Sequence, residues 1–103
     1  MPTVENNFNG VIIEWDGDKA TENFNKHGVR FEEAVSVYND DYSITIEDAR
    51  EYGGEARFIT LGMSNQLRLI FFVWTFRNNR YRIISARKAN KYDIQEYQNA
   101  RKL

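Results

Sequence analysis

Short β-branched runs alternate along the chain with stretches whose apolar residues recur every three or four positions, and their order gives a plan of elements. Val11-Ile12-Ile13-Glu14-Trp15 is a strand-length run closed by the turn formers Asp16-Gly17-Asp18. A helix follows, with Asp16 placed to accept from the free donors of its first turn and Gly28 to take the left-handed position that ends it. Ala20, Phe24 and His27 fall on one face of that helix and Lys19, Asn23 and Lys26 on the neighbouring one, which sets His27 between core and solvent. Phe31, Ala34, Val35 and Tyr38 mark a second short helix that stops at Asn39-Asp40-Asp41, with Glu32 and Glu33 near its positive end. Strand character then returns over 43–48, 57–61, 68–77 and 81–87. The third of these is apolar on both faces and belongs in the middle of a sheet, covered on both sides. Asn78-Asn79 suits a primed two-residue turn, so the last two strands form a hairpin. A final helix begins near Asn90 with Ile94, Tyr97 and Ala100 or Arg101 on its inward side, and residues 1–9 read as a loose polar tail.

This order predicts an α+β fold, a mostly antiparallel sheet with two N-terminal helices and a C-terminal helix packed on it. At 103 residues the chain makes one domain, 1–103, and at 42% hydrophobic it has enough apolar material for one core. Without cysteine there is no disulfide framework, thiolate nucleophile or cysteine-bound zinc, and a reducing, cytoplasmic setting fits. The polar, acidic N-terminus is not that of a secretory or transit signal. The longest apolar run, 69–76, is far short of the ~20 residues a spanning helix needs.

A net charge of -1 conceals an asymmetry: residues 1–56 hold 13 acids and 4 bases, residues 57–103 hold 2 acids and 10 bases, giving -9 and +8. Either the basic half meets a polyanionic partner, or the halves neutralise one another across the fold. Two stretches concentrate the candidate chemistry. Tyr81-Arg82-Ile83-Ile84-Ser85-Ala86-Arg87-Lys88-Ala89 studs a strand with cations, and Asn25-Lys26-His27-Gly28-Val29 holds the single histidine at a helix end.

Taken together, Glu14-Trp15-Asp16, Lys19-Ala20, Asn23, Lys26-His27-Gly28-Val29, Phe31-Glu32-Glu33-Ala34, Glu47-Asp48, Glu55, Arg57-Phe58, Leu61-Gly62 and Arg82 through Ala89 resemble the BrnT toxins, ribonucleases of type II toxin–antitoxin systems. The resemblance implies a RelE-like fold and a cognate antitoxin whose N-terminal part contacts the toxin and whose remainder is a ribbon-helix-helix DNA binder. It further implies complexes of two toxins with two antitoxins that repress their own operon. Where relatives usually carry a capping serine before Phe31 this chain has Arg30, and where they often carry proline it has Asp41.

A metal-free ribonuclease needs a base for the 2′-hydroxyl proton, cations for the phosphate and an acid for the leaving 5′-oxygen. A free imidazole has a pKa of ~6.5 and can serve as acid or base near neutrality, so His27, with Lys26 beside it, is the candidate for proton transfer. The alternative for His27 is a helix C-terminal cap. Arg82 and Arg87 suit transition-state charge because a guanidinium grips phosphate at two points and stays charged. Residues five apart on a regular strand point to opposite faces, however, so either the strand ends or bulges before Arg87 or only one of the two arginines faces the site; an end near Ala86 is expected. The competing role for both arginines is an ion pair with Glu14, Glu47 or Asp48. Arg57, Lys19, Trp15 and Lys88 are further substrate contacts, with Trp15 and Tyr81 able to stack on unpaired bases and Trp74 placed in the core. A magnesium site from Glu14, Asp16, Glu47 and Asp48 is the lesser enzymatic alternative, and no cofactor fingerprint is present. The leading functional reading is a metal-independent endoribonuclease toxin, and the alternative is a non-catalytic antitoxin-binding corepressor module.

Overall fold

The computed structural model describes residues 2–50 and 53–101. Its elements run β1 (Thr3–Phe8), β2 (Val11–Asp16), α1 (Gly17–His27), α2 (Phe31–Ser36), a 3-10 turn (Val37–Asn39), β3 (Ile44–Asp48), β4 (Arg57–Met63), β5 (Leu69–Arg77), β6 (Arg80–Lys88) and α3 (Lys91–Arg101). The six strands make one sheet in the order β1-β2-β6-β5-β4-β3, antiparallel except where β2 meets β6. The expected α+β class, mostly antiparallel sheet and 78–79 hairpin are observed, and the strand expected over 68–77 runs Leu69–Arg77 inside the sheet.

The expected loose tail is instead an edge strand. Residues 3–8 pair antiparallel with β2 from Thr3 opposite Asp16 to Phe8 opposite Val11. The turn between them is Asn9-Gly10, both in the left-handed region at φ 51° and 86°, the conformation a primed hairpin demands. That dipeptide was the signal; the polar side chains of the edge strand masked it. Asn78 and Asn79 adopt the same region at φ 53° and 61°.

Helix α1 is bounded as its sequence dictates. Asp16 Oδ1 accepts from the backbone of Asp18 at 2.9 Å and Lys19 at 3.1 Å, and Gly28, at φ 69°, closes the last turn by donating to Phe24 O. Arg30 supplies no side-chain cap to α2 and lies over the Phe24 ring at 4.1 Å. The core fills one face of the sheet, where Phe31, Ala34, Val35 and Val37 meet Ile13, Trp15, Ile70, Phe72, Ile83 and Ala86. Gly62 allows the 3-10 turn to lie close, since a β-carbon there would sit 2.5 Å from Val37 Cγ1. Glu33, almost fully buried, joins α2 to the β4–β5 turn by accepting from Ser64 Oγ at 2.7 Å and Arg68 Nε at 2.9 Å. Burial raises the Glu33 pKa, but these bonds outweigh it and hold the carboxyl below the ordinary value.

The other face of the sheet is less covered than expected: Leu69, Phe71 and Val73 of β5 are only half-buried there. In α3 the buried residues are Asp93 and Tyr97, whereas Ile94 is exposed. The helix is turned by its end contacts: Asn90 and Asp93 bond each other's backbone N–H reciprocally at 2.9 Å, and Tyr97 donates to Asp40 Oδ2 at 2.7 Å.

Candidate active site

Strand β6 neither stays regular nor ends at Ala86. It runs to Lys88, and its register on β5 slips by one residue: Ile83 faces Trp74 while Ser85 faces Val73, leaving Ile84 as an extra, bulged residue. Arg82 faces Thr75 and Arg87 faces Phe71. Those β5 residues are four apart and share a face, so the bulge brings Arg82, Ser85 and Arg87 to the same side of the sheet. The core lies on the opposite side, with Trp74, Phe72, Ile83 and Ala86.

Helix α1 lies along β6 beyond the point where β2 stops. Asn23 makes that docking possible: its Nδ2 donates to Ala86 O at 2.8 Å and Val29 O at 3.0 Å, while its Oδ1 accepts from Ala86 N at 3.1 Å. A carboxamide carries the donor and acceptor of a peptide group, so Asn23 replaces the missing strand partner of Ala86. Asn23 is therefore the inward residue of α1, and Phe24, expected on the core face, is exposed. The opposing surfaces enclose a cleft of ≈ 310 Å³ lined by Lys19, Glu22, Asn23, Lys26, His27, Ile84 and Ser85.

The predicted cations divide between this cleft and its flanks. Lys19, Lys26 and His27 line it and make no ion pair among the described residues. Arg82 flanks the floor on one side. Its Nη1 donates to Glu14 Oε2 at 2.6 Å, and Glu14 also takes Arg80 at 3.4 Å. Asp16 ties this flank to α1: the Lys19 N–H bond chiefly holds its carboxyl below the ordinary value, and the charges of Lys19 and Arg82 add to the effect. Arg87 flanks the other side. Its Nη1 donates to Asp93 Oδ2 at 2.7 Å and Lys88 O at 3.1 Å, and its guanidinium lies 3.8 Å from the Phe71 ring centre. Each arginine commits one terminal nitrogen, while a guanidinium offers five N–H donors in all. Arg57, opposite Thr75 on β4, shares their face about 10 Å from Arg82 at the usual strand spacing and pairs with Glu55 at 3.8 Å.

Two expected substrate contacts do not join the site. Trp15 is 2% exposed and packs edge-on against Phe31 at 5.9 Å, so no ring face is open to a base. Lys88 is exposed but pairs with Ile70, on the opposite face from Arg87. Tyr81 likewise faces away from the arginines, opposite Phe76, and Trp74 donates to Thr60 Oγ1 at 2.8 Å on that same far side. The carboxylates weighed for magnesium do not gather, because Glu14 and Asp16 on β2 are separated from Glu47 and Asp48 on β3 by three strands. The charge halves do meet: Arg68 pairs with Glu33, Arg77 with Glu55, Arg80 with Glu5 and Glu14, and Arg82 with Glu14. Asn23 and Ser85, present in the sequence motifs without a role of their own, and Glu22, named nowhere in them, also line the cleft. The 19, 22, 26 spacing, which places Glu22 between two lysines on one helix face, was the available signal for Glu22.

A small α+β protein with a cation-lined cleft at a sheet edge is the class this geometry defines. A family model described as ribonuclease toxin, BrnT, of type II toxin–antitoxin system matches residues 15–93, and the chain belongs to that family. The 1.1 Å crystal structure of the Brucella abortus ribonuclease toxin BrnT resembles it in fold, with a TM-score of 0.51 and 23% identity over 75% of this chain and 94% of that one. No curated protein matches the sequence. No helix among the described residues is long and apolar enough to cross a membrane.

Proposed function

We propose that the chain is an endoribonuclease toxin that cuts RNA without metal by attack of the 2′-hydroxyl on the adjacent phosphorus. The observation that carries this reading is the bulge at Ile84, which sets Arg82 and Arg87 on one face beside the α1 wall that holds Lys26 and His27. His27 and Lys26 supply the base that takes the 2′-hydroxyl proton and the acid that returns one to the 5′-oxygen. Arg82 and Arg87 hold the non-bridging oxygens as charge builds, with Lys19 and Arg57 on neighbouring phosphates. The new bond joins the 2′-oxygen to phosphorus and the bond to the 5′-oxygen breaks, leaving a 2′,3′-cyclic phosphate and a 5′-hydroxyl. The fold is read as RelE-like and the setting as cytoplasmic. Its partner is read as a ribbon-helix-helix antitoxin, two with two toxins, reaching operator DNA through the antitoxin.

The test is incubation of antitoxin-free protein with RNA in chelator. Cleavage is expected between pH 6 and 8 and is lost in the His27→Ala, Arg87→Ala double variant. Absence of cleavage, or cleavage unaffected by that pair, rejects the assignment. The ion pairs Arg82–Glu14 and Arg87–Asp93 favour one competing reading, a non-catalytic corepressor module whose arginines are structural. It predicts stable antitoxin binding without growth arrest on expression.

A further inference from the structure

A second cavity, of ≈ 330 Å³, lies apart from the cleft, lined by Phe8, Asn9, Val11, Ile13, Tyr38, Trp74 and Tyr81. Its walls are aromatic, and the rings stand apart: Phe8 and Tyr38 are 6.1 Å between centres and tilted by 49°, Tyr38 and Tyr81 6.5 Å and 45°. Register places Ile13, Trp74 and Tyr81 on the sheet face opposite Arg82 and Arg87. The sheet itself stands between those arginines and this cavity. No cation among the described residues lines it, so they offer nothing to a phosphate there.

A nucleobase also fits poorly, because its edge carries several polar atoms that need partners and most of this lining is hydrocarbon. The polar groups at hand are few. Trp74 N–H is already bonded to Thr60, and the buried Tyr38 hydroxyl has no hydrogen-bond partner among the described residues. One aromatic ring with a single polar atom matches both the walls and that unmet hydroxyl. Val11, 41% exposed, and Phe76, 51% exposed and 5.2 Å from the Tyr81 ring, extend the apolar surface around it. An aromatic anchor entering a desolvated pocket beside such a rim is how a few residues carry most of a protein–protein affinity.

We propose that this cavity receives a tryptophan or tyrosine side chain of the antitoxin. The proposal rests on membership of a toxin–antitoxin family and not on the nuclease reading, so either can fail alone. N-acetyl-tryptophanamide titrated into isotope-labelled protein is expected to give saturable amide shifts centred on Phe8, Val11, Tyr38 and Tyr81. Val11→Glu, which puts a charge at the exposed mouth, is expected to abolish those shifts while its thermal melt and RNA cleavage match the parent. Tyr38→Phe is expected to weaken probe binding several-fold with no loss of thermal stability. Titrated with its cognate antitoxin, Val11→Glu is expected to lose at least tenfold in affinity. Shifts absent or scattered at the solubility limit, shifts retained in Val11→Glu, adenosine monophosphate perturbing these residues more than it perturbs Lys26 and Ser85, or antitoxin affinity within twofold of the parent would each overturn the proposal.

Discussion

Replacing Asn23 by alanine removes the side chain that docks α1 on β6. Three hydrogen bonds, of 2.8, 3.0 and 3.1 Å, are lost, and both backbone groups of Ala86 are left without partners. Ala86 is 1% exposed, so water does not replace the amide without local opening. A buried polar group stripped of its partner costs about 1–3 kcal/mol, and two of them with modest relaxation give roughly 3 kcal/mol. For a chain of this size that lowers the melting temperature by roughly 15 °C. Thermal and urea unfolding followed by circular dichroism would measure it, with the urea slope unchanged if the loss is confined to the native state. Hydrogen exchange at the Ala86 amide would localise it, because that amide should become one of the faster-exchanging in β6. RNA cleavage, assayed well below the melt, should fall as well, since Lys19, Lys26 and His27 are held against the strand through this contact. A loss under about 0.5 kcal/mol with Ala86 still protected would refute the idea that this amide substitutes for a strand.

Other outcomes follow from the same geometry. Arg87→Lys keeps the charge but forfeits the planar fork that bonds Asp93 and that the proposed mechanism also turns to phosphate, and a cleavage rate down about 10–100-fold is expected; an unchanged rate would make Arg87 structural. Glu33 and Asp40 are both held below the ordinary carboxylate value, the pull of burial being outweighed by Arg68 and Ser64 for Glu33 and by Met63 N–H and Tyr97 for Asp40. Their stabilisation is present above the unfolded pKa near ~4 and is lost as pH falls through the folded values, so the urea midpoint should drop below about pH 4. Glu33→Gln should flatten that acid limb, and an identical limb in the variant would contradict the assignment. Arg30→Ser should gain a cap worth about 1 kcal/mol and lose the Phe24 stacking worth about 0.5, a net rise of a few degrees in melting temperature; a fall would mean the stacking dominates.

Element types were legible where local chemistry decides them, at the Asp16 cap, at Gly28, at the 78–79 turn and in the apolar 69–76 run. What escaped was set by partners distant in sequence. Residues 3–8 are polar because one edge faces solvent, and only pairing with β2 makes them a strand. Asn23 reads as a surface residue until Ala86, 63 positions away, turns out to need a substitute ladder partner. The parity conflict between Arg82 and Arg87 was readable from their spacing, but its resolution at Ile84 depends on the β5 register. Trp15 sits near a strand end, as a base-stacking residue would, and it is tertiary packing, Phe31 included, that buries it.

The shared face created by the Ile84 bulge is tested most directly by the ends of the cut RNA. Metal-free protein acting on a defined oligonucleotide should leave a 2′,3′-cyclic phosphate and a 5′-hydroxyl, and Arg82→Ala and Arg87→Ala should each slow that step while substrate binding survives. Products ending in a 3′-hydroxyl and a 5′-phosphate, or the same rate in both arginine variants, would contradict it.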